Sequence, residues 1–161
     1  MFSIIQIYDW PMAVAEVLVA ESELEGFRFV RRAQEEWLSG ANRFSKEGEA
    51  FFGVFEAERL LAIGGVNRQS EICGRLRRFY VLGEERRKGI GRQLVQHVIT
   101  FSRSHYSCVS LRCDTAGADR FYRALGFTRS AVDSDITHSI DLKKEPNQAP
   151  EPTAPSGRGS S

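Results

Sequence analysis

Cysteine and histidine are scarce in this 161-residue chain. The three cysteines, Cys73, Cys108 and Cys113, are odd in number and show no CxxC spacing. Neither a disulfide framework nor a zinc cluster is suggested, and reduced thiols of a cytosolic protein are expected. His97, His105 and His138 form no ligand pair, so no metal site is expected. No apolar run reaches membrane-spanning length, and the N-terminus lacks a basic region followed by an apolar segment and cleavage site. A cytoplasmic protein without a membrane partner is therefore expected. Excess charge of one sign is also missing: the net charge is +1, which gives no global argument for nucleic acid. Hydrophobic content of 42% with 27% charged residues is that of a soluble globular domain.

The informative stretch is 76–94, LRRFYVLGEERRKGIGRQL, where an apolar strand enters a basic turn, two glycines and an amphipathic helix. Glycines let backbone approach an anion closely. The first turn of a helix leaves N–H groups without intrahelical partners, and the helix dipole adds positive potential there. The run Arg86, Arg87, Lys88, Gly89, Ile90, Gly91, Arg92 is a phosphate site in outline, with cations supplying countercharge. A solvated basic turn is the plain alternative. The stretch lacks GxxxxGK followed by Ser or Thr, which argues against a nucleotide-triphosphate loop. No aromatic–basic pattern supports nucleic-acid binding.

Around this stretch the patterning predicts one domain, over 1–143. A strand is expected at 3–8 and a helix from Asp9–Trp10–Pro11 to Gly26, with Val14, Val17, Leu18 and Leu24 at helical spacing. A second helix at 27–39 carries Val30, Ala33 and Trp37. Runs 49–55 and 60–66 flank a charged turn and read as an antiparallel hairpin, with Gly64–Gly65 marking a bulge or close packing. A strand at 75–82, a helix at 89–103, a strand at 108–112, a helix at 116–125 and strands at 127–132 and 137–142 follow. The strand at 108 comes after a crossover helix and is expected to run parallel to its predecessor. The fold class is α/β (α+β): a mixed, mostly antiparallel sheet of about seven strands with about four helices. Residues 144–161 are rich in Pro, Gly and Ser and read as a disordered tail.

The motif Arg86-x-x-Gly89-x-Gly91 after a strand, followed by 118–127, ADRFYRALGF, resembles the GNAT superfamily of acyl-CoA-dependent N-acetyltransferases, and the element order over about 3–142 agrees. The resemblance implies a sheet splayed at an acyl-CoA cleft. Acetyl-CoA would be the co-substrate, its pyrophosphate received by the backbone of Arg86, Arg87, Lys88, Gly89, Ile90, Gly91 and Arg92. Phe79, Val81, Thr115, Phe121 and Tyr122 would also contact it, and the N–H near Val81 would polarise the thioester carbonyl. Tyr122 matches the tyrosine that protonates the departing thiolate in many relatives, a task suited to a phenol of pKa about 10. Core aromatics on a short helix are the structural alternative for Phe121 and Tyr122.

Two departures from the family pattern stand out. Thr115 occupies the place where many relatives carry Asn, and 75–80 reads RLRRFY, without the carboxylate that some relatives use as a base. Glu49, Asp114 and His138 are candidates for a base because each is expected near a strand end; ordinary surface or capping roles are the alternative. Strand alternation puts Arg75 and Arg77 on one face with Phe79 and puts Arg78 with Tyr80. If one set lines the acceptor pocket, Arg75 and Arg77, with Trp37 from the helix covering it, would be substrate-binding residues favouring an amine that also carries a carboxylate or phosphate; solvated edge charges are the alternative.

The expected reaction is acetyl transfer to a primary amine of a small molecule or peptide by direct attack in a ternary complex. None of the three cysteines sits beside a base in sequence, so no acyl-carrying nucleophile is expected. The alternative is a non-catalytic acyl-CoA-binding or regulatory module. The resemblance also allows a homodimer. The tail resembles read-through sequence from recombination sites flanking mobile bacterial gene cassettes, which implies a bacterial accessory gene.

Overall fold

The computed structural model describes residues 1–133 and 135–143. The expected tail therefore lies outside the described residues. Seven strands form one sheet in the order β1-β2-β3-β4-β5-β7-β6. They are β1 (Ser3–Gln6), β2 (Ala50–Glu56), β3 (Arg59–Arg68), β4 (Cys73–Val81), β5 (Cys108–Leu111), β6 (Thr128–Asp133) and β7 (Ile136–Asp141). The helices are α1 (Met12–Leu24), α2 (Phe29–Ser39), α3 (Ile90–Ser102) and α4 (Ala116–Ala124). Every neighbouring pair is antiparallel except β4 and β5, which are parallel, as the crossover through α3 requires.

Each face of the sheet has its own core. On one, Leu94, Val95 and Val98 of α3 pack on Phe52, Val54, Ala62, Leu76, Val109 and Leu111. On the other, Leu18 and Val19 of α1 and Val30 and Trp37 of α2 pack on Phe51, Ile63 and Tyr80. Each fully buried Leu or Phe contributes about 1.5–3 kcal/mol. In α1 the buried set is Ala15, Leu18, Val19 and Ser22, whereas Val17 and Leu24 face solvent. That helix starts with Pro11 at its N-cap and has no side-chain cap.

Two irregularities in β3 and β4 position everything that follows. The β4–β5 pairing is confined to Cys73–Cys108, Gly74–Val109 and Arg75–Ser110, beyond which β4 has no strand partner on that side among the described residues. On its other side, Ile63 pairs with Tyr80 but Gly65 pairs with Arg77, so two residues, Arg78 and Phe79, oppose Gly64. This is a β-bulge, and Arg78 adopts φ of 65° within it. Gly64 is required: a Cβ there would lie 2.5 Å from the Phe79 ring. The bulge also corrects the expected alternation. Phe79 and Val81 join Leu76 on the α3 side, while Arg77 and Arg78 face Glu36 of α2.

Candidate active site

The gap between β4 and β5 is walled on one side by the end of β4 and the turn into α3. After β4, a single 3₁₀ turn at Gly83–Glu85 leads into the basic run, where Arg87 and Gly89 take φ of 65° and 84°. Gly89 is the N-cap of α3, in the left-handed conformation that glycine alone adopts without strain. The N–H groups of residues 87–92 have no protein acceptor among the described residues. Six successive donors therefore stand open at a helix N-terminus. Gly91 belongs to the same wall: a Cβ on it would come within 3.3 Å of Val81 and 3.5 Å of Phe121. The fold thus brings Val81, Gly91 and Phe121 together from three elements.

Val81 completes this wall. Leu82 donates its N–H to Leu61 of β3, and successive strand residues point their amides in opposite directions. The Val81 N–H therefore points into the gap, and its carbonyl, on the same side, accepts from Arg86 Nε at 2.9 Å.

The basic side chains of the turn differ in how they are used. Arg86 gives both guanidinium nitrogens to Glu25 of α1, at 2.8 and 3.0 Å, and its own N–H to Gly83. It ties the turn to α1 rather than offering a free countercharge. Glu21 of the same helix accepts the Gly83 N–H at 2.9 Å, and the Tyr80 hydroxyl lies 2.6 and 2.7 Å from Glu21 and Glu25. Burial, then the two carboxylates, push the Tyr80 phenol far above its ordinary pKa. Lys88 reaches Glu85 at 3.2 Å. Arg87 and Arg92 are exposed, with no ion pair among the described residues.

The opposite wall is made by the end of β5, α4 and β7. Thr115 is the N-cap of α4, its hydroxyl accepting from the Ala118 N–H at 3.0 Å. Phe121 and Tyr122 pack edge to face, with centroids 4.9 Å apart, and Tyr122 packs on Phe127. Burial, then the neighbouring Cys113 thiol, raise the Tyr122 phenol well above its usual value, so it holds its proton at neutral pH. Its hydroxyl has no protein hydrogen bond among the described residues.

His138, one of the expected base candidates, has partners that the sequence did not reveal. His138 of β7 is 3% exposed; its Nε2 lies 2.7 Å from Asp119 Oδ1 of α4, and its Nδ1 faces Thr137 Oγ1 at 2.8 Å and Cys113 Sγ at 3.6 Å. Arg129 holds both oxygens of Asp119 at 2.9 Å. Arg129, then His138, keep that carboxyl far below the usual carboxylate range. Residues 113, 119 and 138 are too far apart in sequence, and on too many elements, for any local spacing to have signalled them.

The other expected base candidates are held elsewhere. Glu49 accepts the main-chain N–H groups of Arg68 and Lys46, and Asp114 is an exposed neighbour of Arg112. Trp37 is 5% exposed and stacks with Phe44 in the core, so it is not brought to the cleft. Arg75 reaches the Asp135 carbonyl at 3.1 Å. Arg78 pairs with Glu36 at 2.9 Å, its Nε buried without a partner. Arg77 is half-buried, and burial, followed by the charges of Arg78 and Arg75, lowers its pKa. One carboxylate, Glu36, thus faces Arg77 and Arg78, with Arg75 and Arg32 close enough to bear on them.

Among the described residues no helix is long and apolar enough to cross a membrane, and no group of three or more His, Cys, Asp or Glu is placed to hold a metal ion.

Comparison with known proteins places this architecture. A model of the acetyltransferase (GNAT) family matches residues 6–127. The chain is similar to a protein from Exiguobacterium sp. 255-15 described as an acetyltransferase, at 30% identity and a TM-score of 0.80, over 89% of this chain and 95% of that one. The ribosomal-protein-S18-alanine N-acetyltransferase of Escherichia coli shares the fold at 17% identity, with a TM-score of 0.69 over 95% and 99% of the two chains. So does the N-acetylglutamate synthase of Neisseria gonorrhoeae, complexed with coenzyme A and N-acetyl-glutamate, at 15% identity and a TM-score of 0.68, over 88% of this chain and 35% of that one. No curated protein sequence matches significantly. With a parted β4–β5 pair, an open amide turn at α3 and a family match over most of its length, the chain belongs to the GNAT family of acetyltransferases.

Proposed function

We propose that this protein transfers an acetyl group from acetyl-CoA to a primary amine of a small molecule or peptide that also carries a carboxylate or phosphate, by direct attack in a ternary complex. The observation that carries the reading is the parting of β4 from β5 beyond Arg75 and Ser110. The reading is supported by the open amides of residues 87–92 on one wall and by Tyr122 of α4 on the other. The amides fit a pyrophosphate, and the missing Cβ of Gly91 lets Val81 and Phe121 pack close beside them. Ile90 and Phe79 shape this wall from the apolar side, Thr115 the far one.

The chemistry then distributes over this chain's own groups. The Val81 N–H is aimed where negative charge grows on the thioester oxygen in the tetrahedral intermediate. Tyr122, kept protonated by burial, donates to the departing thiolate. On the α2 side, Arg77 with Arg75 and Arg78 supports binding of an anionic group on the acceptor. Residues 77–81 of β4 contribute no carboxylate, so protonation of the amine itself governs its readiness to attack.

The test is a screen of CoA release from acetyl-CoA across amino acids, phosphorylated amines, peptides, polyamines and aminoglycosides. Turnover with carboxylate- or phosphate-bearing amines, rising with pH toward the amine pKa, is expected. A preference for polycations contradicts the acceptor class. CoA binding without turnover on any amine favours the non-catalytic acyl-CoA-binding module.

A further inference from the structure

We propose that Cys113 is an acyl-accepting thiol of this cleft, activated by His138 and Asp119, which takes the acetyl group from acetyl-CoA when no amine is bound. The proposal rests on the acetyl-CoA reading above and adds a reaction that direct transfer does not use.

Three elements supply the three groups. Cys113 follows β5, Asp119 lies in α4 and His138 in β7. Sγ to Nδ1 is 3.6 Å and Nε2 to Asp119 Oδ1 is 2.7 Å. This is the order of nucleophile, base and orienting carboxylate that activates thiols and hydroxyls on unrelated folds. Asp119 is ionised, because Arg129 grips both its oxygens and Arg123 stands 3.6 Å away. An ionised carboxylate accepts, so in the neutral imidazole Nε2 carries the proton and Nδ1 presents a lone pair. That lone pair faces two donors, the Thr137 hydroxyl and the Cys113 thiol. Thr137 also accepts the Cys113 N–H at 2.9 Å, which fixes the backbone that carries the thiol.

A carboxylate bound by Arg129 of β6 and Arg123 of α4 would be enough to fasten β6 to α4. The buried imidazole adds a link from that carboxylate, through a nitrogen shared with the Thr137 hydroxyl, to a thiol. Cys113 and Tyr122 pack against the same apolar cluster. The thiol therefore belongs to the same wall as the residue assigned to the leaving sulfur. Burial raises the Cys113 pKa, so the resting group is a thiol and attack needs a base at the moment of bond formation.

The step balances without any further reagent. The Sγ–C bond to the acetyl carbon forms as the C–S bond to CoA breaks. The thiol proton passes to Nδ1 and from there to the CoA sulfur. One thioester replaces another, and free CoA leaves.

The experiment uses the full chain with acetyl-CoA and no amine. Peptide masses, released CoA and a calorimetric CoA titration are read together. In parallel, iodoacetamide alkylation of each cysteine is followed at neutral pH. One acetyl group is expected on Cys113, removable by neutral hydroxylamine, matched by one equivalent of CoA and absent in Cys113→Ser. Alkylation of Cys113 is expected to exceed that of Cys73, whose thiol is pushed up to about 12 by burial, on the order of tenfold. The excess disappears in His138→Gln and in Asp119→Asn. CoA binding with Cys113 unacetylated overturns the acyl transfer. Equal alkylation of Cys113 and Cys73 overturns the activated thiol, even if both variants fail to fold. Absence of CoA binding overturns the cofactor reading itself and the acyl transfer that rests on it, while the alkylation arm still decides the state of the thiol.

Discussion

On the β4–α3 wall of the cleft the groups that face outward are main-chain amides, held open by two left-handed residues, and the nearest arginine is tied to α1. On the β5–α4–β7 wall the groups are side chains, Tyr122 and Cys113, with His138 buried beside Cys113 and held by Asp119, which Arg129 grips. The first wall is suited to holding a charged group without chemistry, since amides neither titrate nor react. The second carries a phenol, a thiol and an imidazole, groups chemically able to move protons. On the proposed function, binding and reaction fall on opposite sides of one gap.

This division makes the two walls separable by mutation. The largest effect is expected from Tyr122→Phe, which removes the acid and leaves the amide wall intact: kcat falls about 10²–10⁴-fold, while CoA affinity by calorimetry stays within a few-fold. Gly89→Val strikes the other wall. A β-branched residue at φ of 84° costs on the order of 1–3 kcal/mol of backbone strain and turns the amides away. CoA affinity is expected to fall at least about tenfold with little effect on Cys113 alkylation. Arg77→Ala sharpens the comparison on the acceptor side. Losing a hydrogen bond to a charged group, worth about 1.5–3 kcal/mol, raises KM for an anionic amine about tenfold or more and spares KM for a neutral one.

The smallest effect concerns acid stability. Asp119 has a folded pKa below its unfolded value, so its contribution is complete above the ordinary carboxylate pKa of about 3.9 and is lost as pH falls toward the depressed one. Wild-type Tm should therefore drop with acidification below that point, and Asp119→Asn should show a shallower drop.

What could be read from the chain follows the same division. The amide turn was legible because its glycines, its cations and the apolar stripe of α3 are contiguous in sequence. The hairpin of β2 and β3, the crossover and the α4 aromatics were legible for the same local reason. The bulge at Arg78 was not, because strand alternation assumes an unbroken pleat; only Gly64, with its need for close packing, hinted at it. Arg86 looked like a free countercharge because its partner, Glu25, lies on a helix 61 residues earlier. Cys113 looked inert because its imidazole stands 25 residues later on β7, the strand next to β5 in the sheet. Trp37 shared the apolar stripe of α2 with core residues, and the core is where it lies.

The central claim is that the open amides of residues 87–92 and the parted strands form a coenzyme A site. Calorimetric titration of the full chain with CoA tests it most directly. One site per chain, weakened in Gly89→Val and retained in Tyr122→Phe, is the predicted result. Absence of binding, or binding indifferent to Gly89→Val, would contradict it.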